Sequence, residues 1–263
     1  MSGVSAKLGA SKIRAVVTGR FALLFWFLVA VIAAPVVLPD GPIIRRVMAL
    51  ALFVLMLSGL SAIADRRRHL IIGLVLAVPA VTLTAVGLAD ENFALYVISQ
   101  YLYLAFFTHL AVQILRWTMK QHVVSAETIY GAVNVYLLMA LIWGIAYYAI
   151  ALDFPGSFHF PEEVELGVVQ TTRGEALDAG VELPPIPEWT EVANSAQGTM
   201  MYYSFVTLTT LGYGDIFPAS DATRILAMLE ATLGQLFLVI LVARLVGLYT
   251  AQQMEERKKA TPT

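Results

Sequence analysis

The stretch S-F-V-T-L-T-T-L-G-Y-G-D-I-F-P, Ser204 to Pro218, lies between two long apolar runs. Irregular polar backbone at membrane depth is tolerated only where protein buries it or it lines a watery cavity. "TLGYGD" therefore reads as a re-entrant loop lining a pore, and its residue types suit a cation. To replace the water around a dehydrated ion, successive carbonyls must point toward one axis. That requires alternating backbone handedness, and glycine alone takes positive φ cheaply. Gly212 and Gly214 stand two apart, as such alternation needs. The carbonyls of Thr210, Leu211, Gly212 and Tyr213, with the Thr210 hydroxyl, would form stacked oxygen rings. One loop cannot encircle an ion, so four copies are expected around an axis. Met200–Thr209 reads as a half-helix whose partly negative C-terminal end faces the cavity. Tyr213 would point outward and pack against Tyr202 and Tyr203.

The elements that must hold this loop are apolar. Of 263 residues 59% are hydrophobic and 14% charged, against about 25% charge in soluble domains. The net charge of −2 argues against a nucleic-acid partner, and without cysteine no disulfide or thiolate metal site exists. Membrane crossing takes about 20 mostly apolar residues. Candidate spans are Phe21–Leu38, Ile43–Ala64, Leu70–Ala89, Phe93–Leu115, Val123–Leu152 and Ala222–Thr250. Lys and Arg concentrate in the N-terminal segment, in "RRRH" (Arg66–His69), at Arg116 and Lys120, and in the last residues. The opposite connections hold Arg45, Arg46, Arg173 and Arg224. The positive-inside rule then places both termini in the cytoplasm. A signal peptide is the alternative for the first span, disfavoured by Pro35 at the cleavage point.

The expected division is a cytoplasmic segment 1–20, a four-helix membrane domain 21–122, a pore domain 123–250 and a short cytoplasmic tail 251–263. Within the pore domain, 153–195 reads as an external loop and 199–215 as pore helix and filter. The loop holds nine acids against Arg173 alone. It is either a plain solvated loop or a vestibule that concentrates cations over the pore mouth.

The Ser204–Pro218 stretch resembles the T-x-x-T-x-G-Y-G signature of potassium channels, matched by Thr207, Thr210, Gly212, Tyr213 and Gly214, with Asp215 following. In that family backbone carbonyls replace the hydration shell of potassium. The resemblance implies K+ as the permeant ion, with Thr210, Leu211, Gly212, Tyr213 and Gly214 as its binding site. Tyr202 and Tyr203 stand where many relatives have a tryptophan pair. Pro218 and Arg224 match residues opening the inner helix, and Gly234 matches the gating-hinge glycine. Leu211 departs from the usual Val or Ile but supplies only a carbonyl. The similarity covers Val123 to about Thr250.

Several residues keep two readings. Gly234 is a hinge or a close-packing point. Gln235, Leu238 and Val242 share a helix face that lines a cavity or packs in the bundle. Glu230 is a carboxylate deep in a span, expensive without a partner. It forms a ring in the cavity or supports the filter from behind the pore half-helix through Thr or Tyr groups, and proton sensitivity is then expected. Arg244 snorkels to headgroups or contacts a gate. His109 and Gln113 read as inter-helix hydrogen-bonding groups.

The fourth span carries only Arg116, at its end, and the second and third hold no interior acids. Steep voltage gating is therefore not expected. The tail is too short for a ligand-binding domain, so regulation is expected from filter, lipid, protons or a separate partner. No Ser/His/Asp set, metal cluster or phosphate loop points to an enzyme. The expected fold is all-α, with six transmembrane helices and a re-entrant pore half-helix between the fifth and sixth, assembled as a homotetramer in a plasma membrane. A potassium uptake transporter, a less selective cation channel and a non-conducting pore-fold sensor or regulatory subunit are the competing classes.

Overall fold

The computed structural model describes residues 19–37, 53–62, 67–90, 92–154, 156–160 and 186–260. The N-terminal segment, the Leu38–Pro42 turn, the start of the second candidate span and most of the acidic loop lie outside these residues. Seven helices are described: α1 Arg20–Val37, α2 Phe53–Ala62, α3 Arg67–Ala89, α4 Phe93–Lys120, α5 Ala126–Asp153, α6 Ile186–Leu208 and α7 Asp221–Ala260. Four of them, α3, α4, α5 and α7, are long and apolar enough to cross a membrane. The described parts of α1 and α2 are shorter apolar helices.

Helix starts follow side-chain chemistry. The first amides of a helix lack intrahelical acceptors, and a hydroxyl or amide oxygen at the N-cap supplies one. Ser125 Oγ accepts the Thr128 N–H at 3.2 Å to open α5, and Ser220 Oγ accepts the Thr223 N–H at 3.3 Å to open α7. Asn92 Oδ1 accepts the Leu95 N–H at 3.3 Å to open α4.

Three boundaries differ from the sequence reading. The pore helix begins at Ile186, not Met200, so the end of the 153–195 loop is helical. Pro187 sits in its first turn, where the missing N–H leaves no helical bond unmade. The fourth helix runs to Lys120, past Leu115. The tail is helical through Ala260. The all-α expectation also lacks one feature, an antiparallel pair of β1, Phe158–His159, with β2, Phe217–Pro218, in register Phe158↔Pro218 and His159↔Phe217.

The chain divides into two compact units, and several helices run from one into the other. One comprises residues 1–71, 109–138 and 237–263. There Asn134 Nδ2 donates to the Phe21 carbonyl at 2.7 Å, and Phe21 packs on Trp117 at 4.6 Å between ring centres. The other comprises 72–108 and 139–236. Its core joins Tyr147, Tyr148 and Ala151 of α5 to Phe158, Phe160, Met200, Tyr203 and Ile216. There the Thr84 hydroxyl of α3 donates to Ser99 Oγ of α4 at 2.8 Å.

Candidate functional site: the loop after α6

The loop is built from the end of α6. The Leu211 N–H donates to the Val206 carbonyl at 2.8 Å and the Thr210 N–H to the Thr207 carbonyl at 3.0 Å. These are the two bonds of a Schellman helix ending, which puts its C′ residue in the left-handed region. Here that residue is Thr210, with φ 59°. Gly212 at 58° and Gly214 at 81° repeat the sign two and four residues on. Handedness thus alternates through Thr210, Gly212 and Gly214. The two glycines were expected; Thr210 was not, because its conformation comes from the helix ending. No atom lies within 4 Å of a Cβ built on either glycine, so φ is the constraint there and space is not.

Residues 209–215 are exposed in the single chain. Tyr213 is 68% exposed and makes no ring contact with Tyr202 or Tyr203. Within one chain it is largely uncovered. The Tyr202 hydroxyl donates to Asp215 Oδ2 at 2.8 Å, bracing the far end of the loop against α6. Tyr203 is buried, edge-on to Tyr147 at 5.2 Å and to Phe158 at 5.5 Å. The Thr210 hydroxyl donates to the Thr209 carbonyl at 2.6 Å, so it turns back on the backbone.

Beyond the loop the chain is pinned. The Ser157 carbonyl accepts the Ala219 N–H at 2.9 Å and the Thr223 hydroxyl at 2.9 Å. His159 rests on Phe217 at 4.8 Å between rings. Arg224 Nε donates to the Pro218 carbonyl at 3.3 Å. These contacts fix the exit of the loop to the end of α5 and the start of α7. The role of the Ser157 carbonyl carried no local sequence signal; the groups that donate to it lie more than 60 residues away.

On α7, Glu230 is fully buried. It accepts a hydrogen bond from the Tyr147 hydroxyl at 2.7 Å, and its other oxygen lies 2.5 Å from Ser204 Oγ. It therefore sits behind α6, with a tyrosine, Tyr147 of α5, and Ser204 of α6 as partners; of the Thr or Tyr groups expected, a Tyr is met and no Thr. Gly234 packs on the end of α6: a Cβ there would lie 2.6 Å from Leu208 Cδ1 and 2.8 Å from the Leu208 carbonyl oxygen. Gln235 and Val242 are exposed and Leu238 is half-buried. Arg244 Nη2 donates to the Met119 carbonyl at 2.6 Å and the Gln121 carbonyl at 2.9 Å. Those carbonyls end α4 and lack intrahelical partners, which is why a guanidinium suits them. The His109 ring of α4 lies 5.6 Å from the His69 ring of α3, centre to centre.

Residues 189–251 match a family described as "Ion channel". A 46-residue stretch is 44% identical to two-pore potassium channel 4 of Arabidopsis thaliana, covering 18% of this chain and 16% of that protein. The match thus spans less than a fifth of the relative's length. No solved structure matches the chain. The matched segment takes in the whole loop, all but the first three residues of the helix before it and most of the apolar helix after it. With four helices long and apolar enough to cross a membrane the chain is a multi-pass membrane protein, and its segment 189–251 is similar to ion channels and, over a short stretch, to a potassium channel.

Proposed function

We propose that the chain is the subunit of a homotetrameric, potassium-selective channel that passes K+ down its gradient without covalent chemistry. The carbonyls of Thr210, Leu211, Gly212 and Tyr213 from four copies form the ion-binding rings, and Gly214 completes the alternation. The observation that carries this reading is the recurrence of positive φ at Thr210, Gly212 and Gly214 in an exposed loop. Alternating handedness turns neighbouring carbonyls to one side, which a pore lined by backbone oxygen requires. Asp215, Tyr202, Tyr203, Thr207 and Glu230 support the loop from outside the ion path. Gln235, Leu238 and Val242 line the cavity beneath it.

The reading includes six crossings, cytoplasmic termini and an acidic external loop over the entrance, in a plasma membrane. Steep voltage dependence is not part of it, since α4 has basic residues only at its end.

The test is cation flux into liposomes holding the purified full chain, with potassium against sodium gradients and wild type against Gly212→Ala. Potassium flux above sodium flux, abolished by the substitution, is the expected result. Equal flux of both ions would remove selectivity, and flux that survives Gly212→Ala would remove the loop as the site.

A further inference from the structure

The buried cluster behind α6 can be counted hydrogen by hydrogen. Tyr147 Oη lies 2.7 Å from Glu230 Oε2, Glu230 Oε1 lies 2.5 Å from Ser204 Oγ, and Ser204 Oγ lies 2.8 Å from the Ala140 carbonyl oxygen. Three oxygen–oxygen contacts at these distances need three hydrogens. Tyr147 brings one and Ser204 brings one, whereas the Ala140 carbonyl can only accept. If Ser204 donates to Ala140, the contact with Glu230 needs a hydrogen from the carboxyl. If Ser204 donates to Glu230 instead, two oxygens face each other at 2.8 Å with nothing between them.

The surroundings agree. Glu230 is wholly buried, and a buried carboxylate requires a cation or several donors. Helices α5 and α6 contain no Lys, Arg or His. On α7, Arg224 is engaged with Pro218 and Asp221, and Arg244 lies almost four turns on, capping α4. The titratable groups facing the cluster are Tyr147 of α5 and Tyr203 of α6, both uncharged hydroxyls.

We propose that Glu230 is a positioning residue for the filter: as a neutral carboxylic acid it donates to Ser204 and latches α7 to the helix that carries the loop. The inference rests on the channel reading above. Ser204 stands six residues before Thr210 on α6, and Gly234, one turn beyond Glu230, packs on the last residue of that helix. When the proton leaves, the Ser204 hydroxyl must turn from Ala140 to the carboxylate. The latch between α5, α6 and α7 then loses one of its three bonds. The direction follows: flux is greatest in acid and falls as pH rises.

The test is potassium flux through the full chain in liposomes between about pH 6 and about pH 9. Wild type is expected to lose flux as pH rises, by about tenfold per pH unit if one proton per channel decides it and more steeply if the four copies act together. Glu230→Gln is expected to hold the acid-side flux at every pH, since an amide nitrogen donates to Ser204 while its oxygen accepts from Tyr147. Ser204→Ala is expected to give low flux throughout. A flat wild type, or a Glu230→Gln profile that falls like wild type, overturns the proposal.

The infrared carbonyl band of a carboxylic acid reads the same group without any flux. It should be present in wild type at neutral pH, absent in Glu230→Gln and shifted in Ser204→Ala. No such band in wild type overturns the neutral acid whether or not potassium moves. A band of this behaviour with no flux at any pH counts against the channel reading and leaves the protonated latch standing.

Discussion

At the scale of the residue, backbone handedness and close approach constrain the site more than side-chain chemistry does. Gly212 and Gly214 were legible because positive φ leaves a mark in residue type. Thr210 left none: a β-branched residue in the left-handed region, at a cost of about 1–2 kcal/mol, is imposed by the Schellman ending of α6. Gly234 was legible as special but not as to why. A Cβ there meets both the side chain and the carbonyl of Leu208, and backbone cannot step aside easily. Gly234→Ala is therefore expected to destabilise the folded chain by about 1–3 kcal/mol. Gly212→Ala, which meets open space, strains only the backbone, by about 1–2 kcal/mol. Denaturation of the two variants beside wild type checks this. A Gly234→Ala protein as stable as wild type would free this glycine from packing and return it to the hinge reading.

At the scale of the element, hydropathy placed the helices and misjudged their ends. The start of α6 was hidden because "PPIPEWTEVANS" has the composition of a loop, although proline in a first turn breaks nothing. The β1–β2 pair was hidden because two residues a side carry no periodicity. Arg244 was hidden because its partners are backbone carbonyls more than 120 residues away. In its own unit it joins α7 to the turn between α4 and α5, and Gln252 Oε1 accepts the Val124 N–H at 3.2 Å on the same turn. Charged hydrogen bonds of this kind contribute about 1.5–3 kcal/mol. Arg244→Ala is expected to lower stability by that order and to speed amide exchange around residues 119–124. Arg244→Lys, a point donor without the fork, should recover part of both. Unchanged exchange in Arg244→Ala would show that the turn is held without it.

At the scale of the whole molecule, the question is what forces copies together. The apolar residues that α7 leaves uncovered, among them Leu233, Leu236, Val239 and Ile240, do not decide it, since lipid tails are as apolar as leucine. The polar loop decides it. Residues 209–215 are exposed in one chain, and on the channel reading their peptide groups lie at membrane depth and need water or protein around them. A single copy supplies neither on the open side of the loop. Tyr213, uncovered within the chain, is the side chain whose packing a neighbouring copy would complete. The sequence could suggest this because the constraint is local to six residues. It could not show how α5, α6 and α7 hold the loop, since Tyr147 and Glu230 meet across 83 residues. Native mass measurement of the purified chain in mild detergent is therefore expected to give a particle of four times 28.7 kDa. A stable particle of one or two chains would leave the loop without the partners its backbone needs, and the carbonyl-ring reading would fall with the tetramer.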